Sequence, residues 1–273
     1  MGNVISAFLL TLFAGLSTGI GSAISLLAKK ANAKFLAVSL GFSAGVMIYV
    51  SMAELFLQAK ATLGAHLGEK TGSWAAVGAF FGGILLIAVI DRLIPEQKNP
   101  HNMQAAAVGL SSGAAADAES DKTRRLMRMG LLTALALAIH NFPEGLATFV
   151  AGLSSPKVAI PVAVAIAIHN IPEGIAVSVP IYYATGDRGK AFLYSFVSGL
   201  SEPLGAVIGY VFLRNFLNEV TMGVVFAVVS GIMVFISLDE LLPSAREYGE
   251  QHLSIYGMVA GMAVMAISLL LFI

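Results

Sequence analysis

The chain has 273 residues, of which 57% are hydrophobic and only 12% are charged. Soluble globular domains carry about 25% charged residues, so this composition excludes an ordinary soluble enzyme and a disordered chain. The formal net charge of zero and the lack of cysteine in the sequence argue against a nucleic-acid partner, disulfides and thiolate metal ligands.

Eight hydrophobic stretches are each long enough to cross a bilayer as a helix, for which about 20 apolar residues suffice. In chain order they cover residues 4–28, 35–59, 74–94, 127–152, 158–183, 190–213, 221–243 and 254–273. The runs are continuous, whereas the strands of a membrane β-barrel give short alternating segments. We therefore predict an all-α polytopic membrane protein, with these stretches as spans 1 to 8.

Basic residues predict the direction of the spans. The side that follows spans 1, 3, 5 and 7 holds twelve Lys and Arg residues, and the other side holds four. The positive-inside rule places the richer side in the cytoplasm, so both termini are expected outside it. No basic residue precedes span 1, which favours a retained span over a cleaved signal peptide.

The expected organisation is one integral membrane domain in four parts. These are spans 1–3 (residues 1–94), a flexible cytoplasmic loop (95–126), spans 4 and 5 (127–183) and spans 6–8 (184–273). The loop lacks hydrophobic periodicity, which is typical of a mobile segment. Its polar residues are interpreted as solvated groups that bind metal weakly at most; they include His101, Asp117, Glu119 and Asp121.

Internal repeats relate most of the spans. The segment ALAIHNFPEGLATFVA at 136–151 recurs 29 residues later as AIAIHNIPEGIAVSVP. Span 1 resembles span 6 at an offset of 184, and span 2 resembles span 7 at an offset of 186, whereas spans 3 and 8 show no clear match. Because matched spans run in opposite directions, we predict a 3+2+3 arrangement with inverted repeats, a feature of secondary transporters.

Ionisable residues inside the spans indicate a functional site. Each buried acid costs roughly 2.5–3.5 kcal/mol, so six of them exceed the whole stability of a typical fold, about 5–15 kcal/mol. No Lys or Arg lies in the middle of a span, so cations or protons have to neutralise them. The six acids are Glu54, Glu144, Glu173, Glu202, Asp239 and Glu240.

The doubled motif His-Asn-x-Pro-Glu-Gly places metal-binding side chains on adjacent spans. His140 and Glu144 are four residues apart and share one helix face, as do His169 and Glu173. Their donor atoms suit Zn²⁺, Fe²⁺, Co²⁺ or Mn²⁺. Two His, two Asn and three Glu can hold two metals with bridging carboxylates. The remaining members are Asn141 and Asn170, which either bind metal or orient the ligands, and Glu202.

Other polar residues of the spans have two interpretations each. Glu54 and Glu240 suit relays that pass ions in and out of the membrane, although acids at the interface are the alternative. Asp239 fits both readings equally well. Composition alone favours a packing role for Met47.

The segments HNFPEG at 140–145, HNIPEG at 169–174 and GLSEP at 199–203 resemble the signature of the ZIP metal transporters, and the paired form resembles the prokaryotic GufA-like branch. The resemblance implies uptake of divalent cations, chiefly zinc and also iron, cobalt, manganese or cadmium, through a binuclear centre between spans 4 and 5. It implies a first metal position of His140, Glu144, His169 and Glu173 with Met47 nearby. It implies a second position of Asn141, Asn170, Glu144, Glu173 and Glu202, and it places Glu54 near the metal path.

The resemblance also implies a non-enzymatic protein of the cell membrane. Spans 1, 4, 5 and 6 are expected to move against spans 2, 3, 7 and 8, and a homodimer is an expected partner besides metal ions and the bilayer. Many members have a histidine-rich loop after span 3, whereas this sequence has only His101 there.

Two other functions fit part of the sequence. An intramembrane metal hydrolase needs a metal with an open coordination position and a general base, but the HExxH motif is absent from the sequence and the repeats stay unexplained. A proton-driven carrier of another small solute would use the same buried acids without binding metal.

Overall fold

The structure is a computed structural model that describes residues 2–27, 33–93, 115–154, 156–213, 215–216, 218–248 and 251–271. Within these ranges every regular element is helical. This is expected for apolar segments in a bilayer, because a helix satisfies its backbone hydrogen bonds internally. The predicted all-α class is therefore confirmed for the described part of the chain.

The described residues form eleven α-helices and two π-helical segments. The helices are α1 (Gly2–Leu27), α2 (Ala33–Val50), α3 (Phe56–Leu67), α4 (Glu69–Leu93), α5 (Ala115–Ser154), α6 (Pro156–Thr185), α7 (Arg188–Gly199), α8 (Ser201–Leu213), α9 (Glu219–Ile236), α10 (Leu242–Tyr248) and α11 (Gln251–Leu270). The π-helical segments are Ser51–Leu55 and Ser237–Leu241.

Local chemistry defines several helix ends. Gly68, at φ 83°, terminates α3 in a backbone conformation that side chains disfavour. Asp187 caps α7 by accepting from the backbone N–H of Lys190 at 3.1 Å, and Asn218 caps α9 by accepting from the N–H of Thr221 at 2.9 Å. These caps satisfy donors that a helix leaves free at its first turn.

Seven segments of the described chain are long and apolar enough to cross a membrane. They are Val4–Ile24, Lys34–Leu67, Glu69–Ile90, Ala159–Thr185, Arg188–Phe212, Glu219–Arg246 and His252–Leu270. Each corresponds to one predicted span. Helix α5 covers predicted span 4 but is not among the seven, so the eighth span stays a prediction.

The N-terminal part of α5 lies in the segment predicted as a flexible cytoplasmic loop. The helix begins at Ala115, so residues 115–126 are helical, and the loop and its mobility stay a prediction. This stretch holds three Ala, two Arg, one Glu and one Lys, which favour helix without any apolar periodicity. His101 and the side chains of Asp117, Glu119 and Asp121 lie outside the described residues.

Helices α5 and α6 pair at the centre of the protein. Helix α6 packs against α1, α2, α5 and α7, and α5 packs against α1, α6, α7, α8 and α9. Many apolar side chains of α4 and α11 point outward, as with Leu85 and Leu270, while Phe80, Ile87 and Met265 are buried. An outward apolar face is what a lipid-facing helix requires.

The predicted repeats reappear as repeated contacts between helices. Gly21 of α1 packs against the carbonyl of Ile171, and Gly205 of α8 packs against the carbonyl of Phe142. Gly21 and Gly205 differ by the offset of 184, while Phe142 and Ile171 differ by the offset of 29. The contact of α1 with α6 therefore corresponds to the contact of α8 with α5 at the offsets found in the sequence.

The third pair of helices follows the same rule, although its sequence match is too weak to detect. Gly261 of α11 packs against the carbonyl of Phe42, and Gly83 of α4 packs against the carbonyl of Val228. Phe42 and Val228 differ by 186 residues, so α4 corresponds to α11 at an offset of 178. The two π-helical segments also correspond, because Ser51 and Ser237 differ by 186.

Close crossings at glycine sort the helices into groups. Among the described residues, the nearest neighbours of glycines in α1 and α5–α8 lie in that set of helices and the cap of α7, which we call the site bundle. Glycines of α2 and α11 lie against each other's helix, and those of α3, α4 and α9 lie against one another's. Because α2 continues through Ser51–Leu55 into α3, these five helices and α10 form the flanking bundle. Backbones approach most closely where small residues meet, so each group is closely packed.

Candidate metal-binding site

The doubled motif lies on the central pair α5 and α6, with Pro143 and Pro172 inside the helices. The described side chains of the predicted site are fully buried. They are Asn141, Glu144, His169, Asn170, Glu173 and Glu202. Burial of so many ionisable and amide groups costs free energy unless each group has a polar partner. The partners of these groups therefore define the site.

An imidazole from one motif meets carboxylates from both. His169 Nε2 lies 3.2 Å from Glu144 Oε2, within hydrogen-bond distance, and 4.0 Å from Glu173 Oε1. The structure therefore brings three of the four first-position residues together across α5 and α6. The backbone of His140 lies in α5, but its side chain is outside the described residues.

These side chains form a partial site rather than a complete cage. No group of three or more His, Asp and Glu side chains in the described part of the chain is arranged to hold a metal ion as it stands. The predicted binuclear centre therefore stays a prediction. The imidazole–carboxylate pair is the part of it that the structure brings together.

The two asparagines are oriented in matching ways. Asn141 Nδ2 donates to the carbonyl of Ser198 at 3.4 Å, and Asn170 Nδ2 donates to the carbonyl of Ala14 at 2.9 Å. Ala14 and Ser198 differ by the offset of 184. With each nitrogen held by a carbonyl, the buried Oδ1 atoms have no hydrogen-bond partner among the described residues. Such amide oxygens suit a cation.

Glu202 joins the site from the first turn of α8. Its Oε1 accepts a short hydrogen bond from Asn170 Nδ2. Because Leu200 separates α7 from α8, the carboxylate sits where a helix N-terminus favours negative charge. The structure therefore brings Asn170 and Glu202, two predicted members of the second position, into contact.

The motif glycines have a packing role that the sequence reading did not identify. Gly145 packs against the carbonyl of Glu202, and Gly174 packs against the carbonyl of Thr18. A Cβ atom at either position would overlap that backbone. These glycines therefore set how closely α8 and α1 approach the central helices.

Met47 is fully buried in the central apolar cluster, which also contains Ala147 and Ile166. Such a position suits packing and also lies close to the motif helices. Its assignment as a soft ligand stays a prediction.

The three proposed pathway acids lie in the two π-helical segments. Glu54 belongs to one π-helical segment and Asp239 and Glu240 to the other. Glu54 and Glu240 are partly buried, whereas Asp239 is exposed. Local π-helix is frequent at functional sites, so the position of these acids agrees with their predicted role in the ion path.

Sequence reasoning missed Ser43 of α2. Its hydroxyl lies within 3.4 Å of both Glu173 Oε1 and the carbonyl of His169, as a donor to either. The one hint in the sequence is that Ser43 lies four positions before Met47, and therefore on the same helix face. Serine is common in apolar helices, so composition alone does not single it out.

These helices and the buried cluster define a polytopic helical membrane protein with a candidate cation site. A family model described as ZIP Zinc transporter matches residues 95–269. The chain belongs to this family, as the motifs predict.

Bacterial relatives align along nearly their whole length. The zinc transporter ZupT of Clostridium perfringens is 62% identical, with 100% of this chain and 98% of that protein covered. The proteins of the same name from Streptococcus mutans and Oceanobacillus iheyensis are each 60% identical, with 99% of both chains covered. These relatives are named as transporters and not as enzymes.

Proposed function

We propose that this protein carries Zn²⁺ across the cell membrane into the cytoplasm, with the ion bound between α5 and α6. The observation that carries the proposal is the pairing of Glu144 from one motif with His169 from the other, fully buried, at 3.2 Å. A buried carboxylate beside an imidazole is a favourable environment for a divalent cation. The names of the relatives favour transport over the metal-hydrolase alternative.

The proposed ligands form two neighbouring metal positions. His140, Glu144, His169 and Glu173 hold the first ion, with Met47 beside it. Glu144 and Glu173 bridge to a second ion, which also binds three further residues, Asn141, Asn170 and Glu202. The hydrogen bonds that fix both asparagine nitrogens support their amide oxygens as ligands rather than as mere orienting groups.

The proposed architecture has eight spans, with α5 as the fourth, and both termini outside the cytoplasm. Repetition of the helix contacts at offsets of 184, 186 and 178 supports two inverted triplets around a central pair. Residues 1–94 then carry the first triplet, residues 127–183 carry the central pair, and residues 184–273 carry the second triplet. The connection between spans 3 and 4 lies in the cytoplasm. A binding site at the centre of such repeats is typical of secondary transporters.

Transport in this proposal is a movement of the site bundle against the flanking bundle. Among the described residues, each glycine crossing lies within the site bundle or within the flanking bundle, and none of the nearest neighbours of a glycine belongs to the other bundle. Rigid bodies of this kind slide or rock at their boundary. Glu54, Asp239 and Glu240 of the flanking bundle then pass the ion toward or away from the buried site.

The test is uptake by proteoliposomes that contain a zinc-sensitive dye. We expect the double variant Glu144→Ala with Glu173→Ala to lose at least about 100-fold of its uptake efficiency, because even partners of metal ligands are worth 10–100-fold. The matched control replaces two exposed acids, Glu69→Ala with Glu219→Ala, and should transport normally. Full-rate uptake by the first variant would refute the proposal.

Metal preference is tested in the same vesicles. Competition by Cd²⁺, Fe²⁺, Co²⁺ and Mn²⁺ at a fixed Zn²⁺ concentration ranks the ions. The nitrogen and oxygen ligands favour zinc without excluding the others, so we expect partial inhibition by each. The absence of inhibition by every other ion would show that zinc alone fits.

A further inference from the structure

We propose that Ser43 is a positioning residue that strengthens metal binding only while the two bundles are docked as in this structure. The proposal rests on the proposed zinc transport and deepens it. The side chain of Ser43 is fully buried, and its hydroxyl lies 3.4 Å from Glu173 Oε1. Ser43 therefore acts on the carboxylate of a proposed ligand, not on the metal.

The hydrogen bond of Ser43 crosses the boundary between the bundles. Ser43 belongs to α2 of the flanking bundle, and Glu173 belongs to α6 of the site bundle. The hydrogen bonds of Asn141 and Asn170, in contrast, stay inside the site bundle. A movement of one bundle against the other consequently separates Ser43 from Glu173.

The two bridging carboxylates are inequivalent because of this contact. Under the repeat offsets, Glu173 corresponds to Glu144, and Ser43 corresponds to Val229 of α9. Val229 is buried and apolar, so it offers no hydroxyl from the flanking bundle to the motif on α5. The hydrogen bond from Ser43 therefore occurs in one repeat and has no counterpart at Val229 in the other.

The chemistry of an outer hydrogen bond explains the effect. A donor to a ligating carboxylate holds that ligand in place for the metal. When the site bundle moves, Glu173 loses this donor, and the ion is held less tightly at the point where it has to leave. The hydroxyl carries one proton, which is shared between Glu173 and the carbonyl of His169.

The experiment compares uptake kinetics of Ser43 variants in zinc-dye proteoliposomes. Ser43→Ala should raise the KM for Zn²⁺ about 10-fold while Vmax stays within about twofold, because the loss falls on binding and not on release. The matched control is Ser230→Ala, which removes an equally buried hydroxyl that donates to the carbonyl of Ser51 at 2.8 Å. This control should keep the wild-type KM.

A pair of variants of equal bulk guards against a folding defect. Ser43→Thr keeps a hydroxyl and should keep a KM near the wild-type value, whereas Ser43→Val should match Ser43→Ala. Equal KM values for Thr and Val, or a wild-type KM for Ser43→Ala, would overturn the role of Ser43 alone. Absence of zinc uptake by the wild-type protein would instead overturn the proposed function.

Discussion

At the scale of single residues, each motif asparagine has its two polar atoms divided between two tasks. The nitrogen of Asn170 is bound to the carbonyl of Ala14 and to Glu202, and its oxygen has no hydrogen-bond partner among the described residues. An unpaired buried amide oxygen costs about 1–3 kcal/mol. A cation bound at this oxygen would remove that cost, so the arrangement favours cation binding.

We therefore expect Asn170→Leu to raise the KM for zinc at least about 10-fold, since it removes the proposed oxygen ligand and the donor to Glu202 while keeping the branched shape of the side chain. The control is Ser17→Ala, because the hydroxyl of Ser17 donates to the same carbonyl of Ala14 at 2.6 Å. Initial uptake rates over a range of zinc concentrations check both variants. Equal effects of the two changes would assign Asn170 to packing.

At this scale the sequence predicted that side chains of the two motifs share one candidate site, because residues four apart share a helix face and the motif occurs twice. The structure brings Glu144 and Glu173 close to His169, while their binding of metal stays a prediction. Ser43 was not predictable, because its importance depends on which face of α2 meets α6, a tertiary fact that one serine among many does not reveal.

At the scale of elements, glycine decides how closely helices approach the site. The backbone of Glu202 occupies the space beside Gly145 where a side chain would stand. Gly82 of α4 is the opposite case, since a Cβ atom there meets nothing within 4 Å. The same residue type thus serves a close crossing in one helix and has no packing task within the described chain in the other.

Gly145→Ala should lower the unfolding temperature in detergent, since overpacking costs about 1–3 kcal/mol, and it should also impair uptake by displacing Glu202. Gly82→Ala should leave the unfolding temperature unchanged or raise it, because alanine in a helix is favoured over glycine by about 0.5–1 kcal/mol. Thermal unfolding followed by fluorescence or light scattering measures both. A stable, active Gly145→Ala variant would contradict the close crossing.

Element boundaries were harder to predict than element types. The correspondence between α4 and α11 rests on equivalent glycines, since Gly83 packs against Val228 as Gly261 packs against Phe42. One shared glycine is too little signal in a sequence comparison. The start of α5 at Ala115 was missed because helix-favouring polar residues there lack the apolar periodicity that marks a span.

At the scale of the whole molecule, the orientation in the membrane is open to a direct test. The lack of native cysteine makes single-cysteine variants easy to interpret. Two exposed lysines mark opposite faces in the predicted topology: Lys70 follows the turn after α3, and Lys190 lies in the first turn of α7.

We expect Lys70→Cys to react with a membrane-impermeant maleimide in intact cells, because its side is predicted to be extracytoplasmic. Lys190→Cys should react only after the membrane is permeabilised. The chemical change is the same in both variants, so each serves as the control for the other. The reverse pattern of labelling would invert the predicted topology.

Stiffness is distributed unevenly through this protein. Where glycines lie directly against a neighbouring backbone, as between α1 and α6 or between α2 and α11, an added Cβ atom would overlap that backbone. The seam between α2 and α6 carries a long hydrogen bond from Ser43 instead, which is easily broken and remade. Substitutions at the glycine crossings should therefore lower heat resistance, whereas substitution of Ser43 at the seam should weaken zinc affinity and leave heat resistance nearly unchanged.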